Sequence, residues 1–172
     1  TTGNKCIPSY FYKDSLLSGF RGTPWLSGSC TQDYGSFTIM PVTGMLETTV
    51  NKYSVEFSHY NEVTTPAYYK LTTKNFIAEI SSTLRCGIMQ FTSLKNDSLY
   101  LLIIPNSDLS EGFVKIDADK GEVWGYNPVH RIYQGWGQPA GFNGWFYIKI
   151  EKAIRSKGTF SGNEIFTADS MS

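Results

Sequence analysis

Excess charge is the first thing this sequence lacks: 15 Lys and Arg balance 15 Asp and Glu over 172 residues, and charged residues make up only 17% of the chain. A binder driven by the nucleic-acid backbone needs clustered cations, and so does a polybasic membrane anchor, so neither class fits; neutral, polar partners fit better. Cysteine is also sparse. Cys6, Cys30 and Cys86 form no CxxC pair and have no histidine nearby in sequence, which argues against zinc and allows at most one internal disulfide; reduced, partly buried thiols are the expectation. The chain starts at Thr1 without Met and has no apolar run near the roughly 18 residues of a membrane-spanning helix, so neither a transmembrane helix nor a signal peptide is expected in this piece. Both ends read as cut from something longer. Missing too are GxSxG, GxxxxGK[ST], HExxH and an EF-hand loop, so hydrolase, nucleotide and zinc-protease readings have no local support.

Helical periodicity is absent as well, with no stripe at i, i+3, i+4 and i+7 sustained over three turns. Period-two alternation and short apolar runs are present instead. They predict strands over Ser36–Val42, Lys52–Phe57, Ala67–Thr73, Phe76–Ser81, Arg85–Phe91, Ser98–Ile104, Gly112–Asp117, Glu122–Tyr126 and Gly144–Glu151, with a further strand beginning at Glu164. Turn residues separate them, notably Thr65-Pro66, Thr73-Lys74-Asn75 and Asp119-Lys120-Gly121. The expected fold is all-β, an antiparallel β-sandwich with little helix, in a single domain spanning 1–172. Ser98–Ile104 is apolar on both faces and reads as a central strand. Aromatic residues reach 15%, which accompanies β-rich folds and carbohydrate surfaces, although most of the Phe and roughly half of the Tyr read as core.

Three polar clusters stand out. In Gly19–Gly44, Arg21, Trp25 and Asp33 precede a strand, a makeup suited to binding: an indole offers a flat apolar face, and Arg and Asp offer fixed donors and acceptors. In Phe57–Tyr69, His59 and Glu62 stand three apart; they suit ligand contact or acid–base work, and equally a tight corner closed by side chains on backbone amides. Gly125–Gly144 holds His130, Arg131, Tyr133, Gln134, Trp136 and Gln138 among glycines and prolines, and is expected to be a long loop. Its polar groups around an indole suit a sugar, or else satisfy buried carbonyls at a sandwich edge. A glycosidase needs two carboxyl groups a few ångströms apart, and nothing in the sequence pairs Asp33 with Glu62.

Four segments in order, GFRGTPWLSGSCTQDYGSFTIMPVTG, FSHYNEVTTPAYY, AEISSTLRCGIMQF and GYNPVHRIYQGWGQPAGF, resemble the amino-terminal domain of the glycoside hydrolase family 92 α-mannosidases. The resemblance implies a supersandwich-type β-domain packed on a helical-barrel domain that carries the catalytic carboxylates. It further implies a calcium-dependent, inverting exo-enzyme acting on mannose-containing glycans, exported to the periplasm or beyond, with the active site between the two domains. The reacting carboxylates and most calcium ligands would then be missing here, so this chain would hold no catalytic residue, no metal ligand and no activity of its own. The family's sugar-touching tryptophan corresponds to Trp25; Arg21, Asp33, His130, Arg131 and Gln134 carry over as substrate contacts, or as interdomain packing. Pro24 departs from the pattern, since many relatives have histidine there. A free-standing carbohydrate-binding or adhesion module is the alternative.

Overall fold

The computed structural model describes residues 12–22, 37–105, 111–130 and 138–171. Strands dominate: β1 (Leu16–Leu17), β2 (Phe20–Gly22), β3 (Phe37–Thr43), β4 (Val55–Glu56), β5 (Glu62–Thr65), β6 (Tyr68–Thr72), β7 (Phe76–Ser82) and β8 (Gly87–Ser93). They continue as β9 (Leu99–Pro105), β10 (Phe113–Asp117), β11 (Glu122–His130), β12 (Pro139–Lys149), β13 (Thr159–Ser161), β14 (Glu164–Phe166) and β15 (Ser170–Met171). One helical turn, α1 (Val50–Tyr53), and a 3-10 turn at His59–Asn61 complete the described elements. The protein is all-β, as its alternation predicts. Its described residues fall in two compact units, the first holding 12–20 and 39–102 and the second 21–22, 37–38, 103–105, 111–130 and 138–171. Strands β2, β3 and β9 are ordered β2-β3-β9.

The first unit contains an antiparallel meander, β5-β6-β7-β8. Leu71 pairs with Ala78 and Ala78 with Phe91, so these residues share one face. Leu71, Phe76 and Ala78 are fully buried, each large side chain contributing about 1.5–3 kcal/mol through loss of apolar surface to water. A hydroxyl opens three successive turns. Thr73 Oγ1 accepts from the amides of Asn75 and Phe76, Thr83 Oγ1 from Arg85 and Cys86, and Ser93 Oγ from Lys95. Such local bonds favour the turn over continued pairing, which is why the strands break at these points.

The second unit contains the antiparallel sheet β12-β11-β10-β15 and the hairpin β13-β14. The β10–β11 hairpin turns where the sequence predicts, with Asp117 paired to Glu122 and Gly121 at φ 64°. Glycine is required there, since a Cβ would lie 2.6 Å from the Ile150 carbonyl oxygen. Lys120 N–H donates to Asp117 Oδ1, and with the Lys120 ammonium it holds the Asp117 carboxyl below its ordinary range.

Several expectations need correction. Lys52–Phe57 is not one strand: α1 occupies 50–53, because Ser54 returns its amide and hydroxyl to the Val50 carbonyl, and the single turn buries Tyr53 while leaving Val50 exposed. Ser98–Ile104 does not read as central; β9 ends its sheet order among the described residues, and only Leu102 in it is buried. The described ends of Gly125–Gly144, residues 125–130 and 139–144, are strand where a loop is expected. Residues 122–130 and 139–149 pair from Glu122–Lys149 to His130–Pro139, with a register irregularity between Pro128 and His130, and 131–137 lie outside the described residues. Cys86 is a free, exposed thiol at the β7–β8 turn; Cys6 and Cys30 lie outside the described residues.

Candidate functional site

The sequence-derived site residues fall in the clusters Gly19–Gly44 and Gly125–Gly144, of which residues 19–22, 37–44, 125–130 and 138–144 are described. Trp25, Asp33, Arg131 and Gln134 lie outside the described residues, and His130 is described only as the last backbone position of β11. Arg21 sits half-buried in β2, between the buried Phe20 and Gly22. Gly22 makes room for an aromatic ring, since a Cβ there would come within 2.2 Å of Phe37 at the start of β3. The Phe37 ring in turn meets Phe146 of β12, centroids 4.9 Å apart. Gly22 of β2, Phe37 of β3 and Phe146 of β12 are thereby packed together within the second unit. Of the six candidate contacts, only the Arg21 side chain falls among the described residues.

The His59–Glu62 cluster resolves toward the tight corner. Ser58 caps the 3-10 turn, its Oγ accepting from Tyr60 N–H, and Asn61 N–H donates to the Ser58 carbonyl. Glu62 pairs with Leu71 across β5–β6, so its side chain, only 7% exposed, enters the inner face of the meander. A buried carboxylate must be paired, and both oxygens are: Oε2 meets His59 Nδ1 at 2.5 Å, and Oε1 accepts from the Tyr69 hydroxyl at 2.5 Å. His59 stacks on Tyr12, centroids 4.3 Å apart, and meets Phe57 edge-on. Its hydrogen bond to Glu62 raises the imidazole pKa above the ordinary value near 6.5, against a smaller opposing effect of burial. With both oxygens engaged, Glu62 acts as a structural tie.

A shallow groove in the same unit is lined by Glu47, Glu56, Lys52 and Lys74. Lys52 closes on Glu47 at 3.3 Å, which leaves no matched pair of open carboxylates of the kind glycoside hydrolysis uses. Nor do any three His, Cys, Asp or Glu side chains gather among the described residues, so these residues do not fit a calcium ion, which takes six to eight oxygen ligands.

Sequence reasoning missed the outward face of the second unit's sheet. Phe113, Tyr126 and Trp145 stand opposite one another across β10, β11 and β12, and Lys115, Trp124 and Tyr147 form the next row. The signal was available as aromatics spaced by two, at 124 and 126 and again at 145 and 147.

The whole of 1–172 matches the family model described as the glycosyl hydrolase family 92 N-terminal domain. The chain belongs to that family. This family 92 N-terminal domain also shares its fold with a family GH92 inverting mannosidase from Bacteroides thetaiotaomicron, at TM-score 0.72 and 23% identity. The match covers 94% of this chain and 21% of that one, so the domain spans about a fifth of the solved relative's length. No curated protein matches it. The fold is therefore the antiparallel β-sandwich of a family 92 N-terminal domain, and no described helix is long and apolar enough to cross a membrane.

Proposed function

We propose that this chain is the non-catalytic amino-terminal domain of a calcium-dependent, inverting exo-α-mannosidase, exported to the periplasm or outside the cell, and that its loops complete a cleft for mannose-containing glycans. The observation that carries this reading is the match of all 172 residues to the family's N-terminal domain. The ring contact that ties β3 to β12 supports it, because binding residues are useful only on a rigid scaffold. In this reading Trp25 supplies the apolar wall for the sugar, with Arg21, Asp33, His130, Arg131 and Gln134 at polar positions around it. The acid, the base and the calcium ligands belong to a carboxy-terminal catalytic domain of the same protein.

A direct assay tests the division of labour. The chain alone should not turn over an aryl α-mannoside, while the parent enzyme should; turnover by the chain alone would refute the non-catalytic assignment. In the parent, Trp25→Ala should lower kcat/KM by at least about tenfold, roughly 1.4 kcal/mol of transition-state stabilisation.

A further inference from the structure

Residues 12–17 are tied to the corner at 55–62 in two places. The first is β1, where Leu16 and Leu17 pair with Glu56 and Val55 and the Phe57 amide donates to the Ser15 carbonyl at 2.9 Å. That ladder is short, below the roughly three to ten residues usual for a strand. The second tie is His59, whose ring stacks on Tyr12 at 4.3 Å with 15° between the planes, and bonds the backbone of Tyr12 and Asp14 as well as the Glu62 carboxylate.

Both of the contacts that His59 makes with the segment depend on its proton. A cation over a tyrosine face is attracted by the ring's π-electrons, and a neutral imidazole forfeits that attraction. An imidazolium donates from both nitrogens, whereas neutral imidazole donates from one. Deprotonation therefore leaves a single donor for the Glu62 carboxylate and for the backbone of residues 12 and 14. The carboxylate claims it, because Glu62 is buried and charged and its other oxygen already uses the Tyr69 hydroxyl. The bonds to 12 and 14 are the ones given up. Among the described residues, Glu62 of β5 and Tyr12 are the titratable groups that face the ring, with Tyr69 of β6 behind Glu62 and Phe57 against the ring edge; Glu62 supplies the charge that acts on it.

We infer that the segment 12–17 is a pH-sensitive strap: protonated His59 latches it to the corner, and loss of that proton frees it while the Glu62–Tyr69 bond keeps the corner closed. Hydrogen exchange of the full-length protein, read peptide by peptide at pH 6 and pH 9 with the intrinsic rate at each pH divided out, tests it. Between pH 6 and pH 9 the wild type should lose at least about fivefold of its protection across 12–18 and at Phe57, ending well below the protection of β6 to β8. His59→Gln should be as open across 12–18 at pH 6 as the wild type is at pH 9. Tyr12→Leu leaves the His59–Glu62 pair in place and guards against a disturbed corner in the first variant; it should shrink the pH response of 12–18 with β5 and β6 protected as in the wild type. Equal protection of 12–18 at both pH values, or an undiminished pH response in either variant, would overturn the strap. So would a segment as protected as β6 to β8 at pH 9, since it would then open only with the whole fold.

Discussion

The two four-stranded sheets use the same alternation to opposite ends. In the meander of the first unit the apolar residues and the Glu62 carboxylate turn inward, and two carboxylates are paired: Glu62 with His59 and Tyr69, and Glu79 with Tyr68 on the opposite face. In the sheet of the second unit the aliphatics and Phe146 turn inward, and Trp145 and Tyr147 turn outward and stay exposed. One sheet pairs its carboxylates; the other leaves two large aromatic rings open. Identical backbone geometry can therefore carry either kind of face, and the difference lies in which residue types occupy alternate positions.

Removing the core ring of the first unit should have the largest effect. Phe76 is fully buried, so Phe76→Ala should cost about 4 kcal/mol by urea denaturation, with hydrogen-exchange protection lost first along β6 to β8. A cost under about 1 kcal/mol would mean that the meander is not organised around this ring. The second unit should break by overfilling instead of by emptying. A Cβ at Gly125 would lie 2.1 Å from the Phe113 carbonyl oxygen and 2.6 Å from the Phe146 ring, so Gly125→Ala should cost about 3 kcal/mol and deprotect β10 to β12.

The corner at His59 should respond to pH in a stated direction. Its folded pKa is raised chiefly by the hydrogen bond to Glu62, so the stabilisation is fully present below about pH 6.5 and is lost as pH rises through the folded value. The melting temperature should therefore fall between pH 6 and pH 9, and Glu62→Gln should flatten that slope; an equal slope in the variant would remove the pair as its cause. Smallest of all is the expected stability change for Trp145→Ala, within about 0.5 kcal/mol, because an exposed ring has little burial to lose. A larger loss would make the aromatic face part of the core and erase the contrast between the sheets.

Much of this was readable in advance. Alternation located β3, β6 to β8 and the β10–β11 hairpin closely, because each pairs with its sequence neighbour and its turn carries a hydroxyl or a glycine of fixed purpose. Sequence failed where tertiary pairing overrode composition. The glycines and prolines of Gly125–Gly144 suggested a loop, yet Gly125 is there to admit the Phe146 ring inside a strand pair. Lys52–Phe57 looked extended, but Ser54 closes a helical turn first. At the site, His59 and Glu62 were visible as a pair at i, i+3, while the Tyr69 hydroxyl that fixes their structural role comes from the next strand and is legible only in the register.

The central claim is that this domain holds sugar at its loops for chemistry supplied elsewhere in the protein. Steady-state kinetics of the parent enzyme carrying Trp25→Ala, on a small α-mannoside, tests it most directly. The account predicts a fall in kcat/KM of at least about tenfold with the melting temperature held within a few degrees. An unchanged kcat/KM would contradict it.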